Sequence, residues 1–192
     1  MKLSEKLKIR GEVTITATDK DGNVRSHSQP NLITTEGFGF FVSKIFDKES
    51  LAYAQTTPET PPGTTDTVKF YISEIGIGTT DTAATSADTY NNQITLGEKK
   101  IKPLSGQTLV EDDGTFYFQS DFRSVDSDTL LDTNTQEVAI KEVLLIAKNG
   151  PFFDVVGSAA PPRKLIARTV LSQEFIKYRT DRISVAWKII LG

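Results

Sequence analysis

Residues Asp181 to Gly192 keep a period of two throughout: Ile183, Val185, Trp187, Ile189 and Leu191 alternate with Ser184, Ala186, Lys188 and Ile190. Side chains of a strand alternate between its faces, so one face here carries five large apolar groups and must be buried. Ala186 and Ile190 make the other face partly apolar too, which predicts strand neighbours on both edges and deep burial. Such a strand, met last in the sequence, has to pair with strands made much earlier. It reads as the closing strand of an all-β sandwich.

The first element has the same periodicity. Leu7, Ile9, Gly11, Val13, Ile15 and Ala17 alternate with Lys8, Arg10, Glu12, Thr14, Thr16 and Thr18, the pattern of a half-buried antiparallel strand. Asp19-Lys20-Asp21-Gly22-Asn23 supplies hairpin-turn chemistry, and Val24 to Ser28 return as a polar strand that ends at Pro30 and belongs at an edge. Further strands are predicted at 68–77, 94–103, 107–110, 115–125, 136–148 and 165–171, with 172–180 a short crossing or bulged strand. Phe116, Phe118 and Phe122 share one face. One helix is predicted over 35–47, with Thr35 as N-cap and Phe38, Phe41, Val42 and Ile45 as its apolar stripe, widened by Phe40 and Phe46. Gly37 and Gly39 weaken it, so its aromatic face has to plug the open end of the sandwich. Residues 51–67 and 79–93 read as long surface loops or arms. About eight strands and one helix give a single antiparallel two-sheet sandwich of jelly-roll-like type.

At 192 residues the chain suits one such domain, and 38 % hydrophobic content suffices for a core without staples. The absence of cysteine removes disulfides, zinc–thiolate sites and thiol catalysis, and is compatible with a reducing cytoplasm. A net charge of −3 with scattered Lys and Arg argues against a nucleic-acid partner. The densest basic run, Glu98-Lys99-Lys100-Ile101-Lys102, reads as a solvated strand end. No signal-peptide core opens the sequence and no apolar run reaches the ~20 residues of a membrane span.

Sites of chemistry are scarce. His27 is the single histidine and reads as a surface residue. Asp19 to Asn23 lacks the calcium-loop pattern, since Gly22 stands fourth from Asp19 and the twelfth position is Pro30. Glu111-Asp112-Asp113 reads as a solvated turn. Gly76-Ile77-Gly78 is followed by no phosphate-binding helix signature. Glu74 and Glu142, at matching places in Ile-x-Glu-aliphatic strands, are the best pair of carboxylates for a hydrolase or lyase. Tyr53, Tyr90 and Tyr178 stand outside the apolar faces but are too scattered for a sugar platform. No cofactor or metal is expected.

Several motifs then have to be taken in order. They are Asn31-Leu32-Ile33-Thr34-Thr35-Glu36-Gly37, Ile72-Ser73-Glu74-Ile75-Gly76-Ile77-Gly78-Thr79-Thr80, Phe116 to Phe122 and Ile140-Lys141-Glu142-Val143. Leu165-Ile166-Ala167-Arg168-Thr169-Val170 and Asp181 to Trp187 complete the series. Over roughly 7–192 this series resembles a loose group of tailed-bacteriophage virion proteins, described as head decoration, neck or tail-fibre-associated. The resemblance implies a non-enzymatic structural subunit in the virion, made in the host cytoplasm, homo-oligomeric, and docked on the major capsid protein or on neck or tail proteins. Edge strands and the two long loops are the expected docking elements, with Tyr53, Pro58, Pro61, Pro62 and Tyr90 as candidate contact residues. A soluble carbohydrate- or receptor-binding module is the alternative.

Overall fold

The computed structural model describes residues 9–46, 70–110, 115–122, 137–149 and 163–191. Within them run β1 (Ile9–Thr18), β2 (Val24–Pro30), β3 (Leu32–Ile33), α1 (Thr35–Phe46), β4 (Phe70–Gly78) and α2 (Tyr90–Gln93). They are followed by β5 (Lys99–Pro103), β6 (Gly106–Val110), β7 (Thr115–Phe122), β8 (Glu137–Asn149), β9 (Arg163–Tyr178) and β10 (Arg182–Leu191). Two five-stranded sheets form, ordered β2-β1-β10-β7-β6 and β3-β9-β8-β4-β5, and every strand pairing is antiparallel. The protein is all-β, two sheets facing each other across one core.

β10 sits at the centre of the first sheet, between β1 and β7, as its apolar alternation requires. Ile183, Val185, Trp187 and Ile189 are buried, and Val13, Ile15 and Ala17 of β1 and Phe116, Phe118 and Phe122 of β7 join them. The second sheet meets them with Ile75, Ile77, Ile140, Val143, Leu145, Ile166 and Phe175. Burial of β10 is one-sided: Ser184, Ala186, Lys188 and Ile190 are only half-buried on the outer face. The polar β2 lies at the edge of the sheet, where Thr14 bonds Ser28 at 2.7 Å and Thr16 bonds Ser26 at 3.2 Å.

Several expectations need correction. Residues 163–178 form one sixteen-residue strand, not two pieces. Its pairing with β8 jumps from Ile140–Phe175 to Glu142–Val170, so residues 171–174 arch out opposite Lys141 while the strand continues. The polar Ser172-Gln173-Glu174 run interrupts the apolar period at that arch. The strands number ten among the described residues: the two-residue β3 was not predicted, and the strand expected over 94–103 begins only at Lys99. Residues 79–93 are not all loop: Thr89 caps α2 by accepting from the Asn92 amide while the Asn92 side chain accepts from the Thr89 amide.

The helix α1 begins one residue earlier in its capping than expected. Thr34 is fully buried, accepts from the Gly37 amide at 3.0 Å and gives its hydroxyl proton to the Leu165 and Ile166 carbonyls. Phe41 and Phe40 enter the core, edge to face at 5.5 Å, whereas Phe38 is 46 % exposed and leaves the predicted stripe. Gly37 is the docking point, since a Cβ there would collide with the Ile166 carbonyl. Residues 51–67 and the turns at 111–114 and 150–151 lie outside the described residues.

Candidate functional site

Two places concentrate charged groups: the outer face of the second sheet and a cleft at one end of the first. The outer face follows from the strand parity of β4 and β8. Glu74, Gly76 and Gly78 point away from the core, as do Glu142, Leu144 and Ile146, and β5 adds Lys99 and Ile101. Glycine is needed at 78, where a Cβ would collide with the Glu142 carboxylate, and at 76, where it would lie 3.0 Å from a Leu144 methyl. The Gly76-x-Gly78 motif therefore makes room for side chains of the neighbouring strand.

Glu142 is fully buried and meets two cations: Arg168 Nε donates to Oε2 at 2.9 Å, and Lys99 Nζ donates to Oε1. Arg168, also fully buried, donates through Nη1 to Asp88 at 2.8 Å and through Nη2 to the Thr82 carbonyl at 2.8 Å. Burial alone would raise the Asp88 carboxyl, but its bonds from Arg168 and Thr85 outweigh that and hold it below its ordinary value of 3.8. Further along the same face Arg163 grips Glu74 with both Nε and Nη2, at 2.7 and 3.0 Å. Leu144, Ile146 and Leu165 form a small second core between the two ion clusters.

The segment 79–98 covers this face. Its carbonyls serve Arg168, Ser86 O accepts the Thr35 amide at 2.8 Å, and Asp88 anchors it from below. The surface loop or arm expected at 79–93 is thus tied to the sheet through Arg168. Tyr90 opens α2 and packs half-buried against Leu144, Ile146 and Leu165, with the Arg163 guanidinium 5.7 Å from its ring. Burial raises its phenol above the ordinary value of 10.0. Tyr53, Pro58, Pro61 and Pro62 lie outside the described residues. Lys99, expected on a solvated strand end, is inside the ion cluster with its side chain 3 % exposed, bound to Glu142 on the same face across Gly78 of β4.

Glu74 and Glu142 do share a face, but Glu142 pairs with Gly78, four residues along β4 from Glu74. That is a spacing of about 13 Å at the usual strand rise. Glycosidic chemistry asks for about 5–10 Å. Each acid is instead bound to its own cation. His27 is half-buried, and its Nε2 donates to Gln29 Oε1 at 3.0 Å, since a carboxamide oxygen only accepts. Gln29 in turn accepts from the Ser172 amide and donates to the Val170 carbonyl, both at the arch of β9, tying β2 to the second sheet. Exposed aromatics among the described residues are Phe38, Tyr117 and Tyr178, on three different elements, so they build no common platform.

No protein-family model, curated protein or solved structure matches this chain. Among the described residues no three His, Cys, Asp or Glu side chains gather as metal ligands would, and no helix is long and apolar enough to cross a membrane.

The second place is a cleft of about 630 Å³ lined by Thr18, Asp19, Lys20, Gly22, Arg179, Thr180 and Arg182. Two turns build it: the β1–β2 hairpin and the turn from β9 into β10. Asp19 fixes the first by accepting from the Asp21 and Asn23 amides and the Asn23 side chain at 2.8–2.9 Å, and Gly22 takes the required positive φ of 86°. The Asn23 bond above all holds the Asp19 carboxyl below 3.8. Buried Asp181 fixes the second, accepting from the Tyr178 amide at 2.9 Å and from Arg25 at 2.6 Å. The sequence shows the first turn; the second falls where 172–180 reads as strand, and nothing in the sequence places the two at one cleft.

Proposed function

We propose that this chain is a non-enzymatic structural subunit of a tailed-bacteriophage particle, docked on the capsid or on the neck and tail. One observation carries the reading: the acids and cations best placed for chemistry on the second sheet are spent as internal ties. Glu142, Asp88 and Glu74 are each bound to a buried or half-buried arginine. The motifs that resemble the virion group meet at the same ties. Thr34 and Gly37 seat α1 on β9, Gly78 makes room for Glu142, and Arg168 joins Glu142 to the covering segment.

Docking then falls to the first sheet, its edge strands β2 and β6 and the 51–67 segment, with capsid, neck or tail proteins as partners and further copies of the chain as neighbours. The jelly-roll-like description belongs to this reading too and rests on the repeated crossing of the chain between the sheets. Immunogold labelling of purified particles with an antibody to this protein tests it. Label over the shell places the subunit on the head, and label at one vertex or on the tail places it at neck or fibre. Particles without label, from a lysate that contains the protein, refute the reading and favour a soluble glycan- or receptor-binding module.

A further inference from the structure

β9 pairs on one side with β8, except at the arch of 171–174. On its other side the only strand neighbour among the described residues is β3, which faces Ala167 and Arg168 alone. Beyond that point the edge of a sheet ordinarily presents unpaired N–H and C=O groups, a template for adding a further strand. Here those groups are occupied. Gln29 Nε2 donates to the Val170 carbonyl at 2.8 Å, and Gln29 Oε1 accepts the Ser172 amide at 2.7 Å. Arg25 Nη1 donates to the Ile176 carbonyl at 2.9 Å, and Asp181 Oδ2 accepts the Tyr178 amide at 2.9 Å.

The Gln29 carboxamide does what one residue of a parallel strand does: it gives an N–H to one carbonyl and takes the amide proton two residues further on. Its orientation is fixed by chemistry, since only the nitrogen can serve the Val170 carbonyl and only the oxygen the Ser172 amide. His27 Nε2 adds a further bond to the same oxygen at 3.0 Å. Arg25 is held as firmly. Its Nη2 binds Asp181 at 2.6 Å, and its guanidinium lies 5.5 Å from the Phe175 ring and 5.1 Å from the Tyr178 ring. Both side chains reach β9 because they share the inward face of their sheet with their partners on β1, the buried Val13 and Ala17.

We propose that Gln29 and Arg25 close the open edge of β9 against strand addition by a second copy of this chain. A second copy is the strand to exclude because every copy carries the same edge. Two such edges pair antiparallel about a two-fold axis, each supplying the groups the other lacks. Side chains that satisfy the edge from within the chain leave the second copy nothing to bond there. The closure is independent of the virion reading: it governs how copies meet, not where the protein resides.

Gln29→Ala in the full chain, followed by amide hydrogen exchange and sedimentation velocity over a range of protein concentrations, tests this. In the unaltered chain, exchange at Ser172 should not depend on concentration. In Gln29→Ala the Ser172 amide should exchange roughly two- to tenfold faster in dilute solution, as the loss of one hydrogen bond implies. With rising concentration its protection should return while a larger species forms. If Gln29→Ala folds poorly, Gln29→Met, which keeps the length of the side chain and lacks the carboxamide, decides the question. Faster exchange at Ser172 with no growth in size at any concentration would overturn the proposal. So would a larger species in which Ser172 stays fast, since association would then run through another surface. Unchanged exchange at Ser172 in the variant would show that Gln29 closes nothing, and concentration-dependent protection in the unaltered chain would show that the edge is already open.

Discussion

Replacing Arg168 with Met keeps most of the aliphatic stem and removes the guanidinium. Its side chain is 0 % exposed, as is that of Glu142, and Asp88 is 7 % exposed. The substitution strips one cation from Glu142, the cation from Asp88, and the donors from the Thr82 and Ala83 carbonyls. Removing one partner of a buried ion pair costs about 3–5 kcal/mol, chiefly because the remaining charge is left without compensation. Lys99 still faces Glu142, which places the expected loss toward the lower end. For a domain of this size, 1 kcal/mol moves the melting temperature by about 2–4 °C, so a fall of roughly 6–20 °C is expected. Urea denaturation gives the free energy, and Glu142→Gln supplies the second corner of a cycle. In the double variant the orphaned charge on Glu142 is gone, so its cost should fall below the sum of the singles by about 1–3 kcal/mol. Amide exchange at Thr35, whose proton is held by Ser86 of the covering segment, should quicken in Arg168→Met. The acid limb changes as well. Asp88 titrates below 3.8 in the folded protein, so its contribution is present above the unfolded value and disappears as pH falls through the folded one. Without Arg168 that contribution is lost at neutral pH. A cost under about 1 kcal/mol with additive singles would refute the description of this cluster as a buried tie.

Two further outcomes follow from the same structure. Gly37→Ala should destabilise by about 1–3 kcal/mol, because the new Cβ collides with the Ile166 backbone, whereas Gly39→Ala meets open space and should stabilise by about 0.5–1 kcal/mol; equal effects in urea denaturation would sink the docking of α1 through Gly37. Burial lowers the Lys177 amine from 10.5, with Asp181 opposing, so the folded protein releases that proton before the unfolded chain does and gains stability as pH rises across the interval up to 10.5. The stability difference between the wild type and Lys177→Met, followed from pH 7 to 11, should move in favour of the wild type; a constant difference would show that the amine titrates normally.

The sheets were legible wherever one face alone is buried. β1, β7 and β10 alternate cleanly because their outer faces stay wet, so periodicity reports the fold directly. The second sheet is harder to read. Glu74 and Glu142 look like outward or catalytic acids in sequence, since a buried carboxylate is recognisable only by its partner. Those partners, Arg163 and Arg168, lie 89 and 26 residues away. Lys99 was hidden for the same reason. The signals that were available are the two glycines of β4, which in a strand mark close approach by a neighbour. Of the cleft only the first turn, Asp19 to Asn23, was legible; the turn at 179–180 lies where a strand was expected, and pairing of Thr18 with Arg182 brings the two together.

The two outer faces differ in what a partner has to displace. On the first sheet, hydroxyls and amides already pair laterally: Thr14 with Ser28, Thr16 with Ser26, Gln119 with Ser184 at 3.1 Å. Lys188 lies 5.8 Å from the exposed Tyr117 ring. Among the described residues no second layer covers them, so an arriving surface displaces water and rearranges hydroxyls. On the second sheet the segment 79–98 is fastened through Arg168 and Asp88, and access means breaking those buried bonds before any new contact forms. A partner would therefore find fewer fastened groups to move on the first sheet than on the second. On the second sheet the buried charges Glu142, Arg168 and Asp88 hold the fold, and at the turn before β10 the buried Asp181 does the same through Arg25 and the Tyr178 amide.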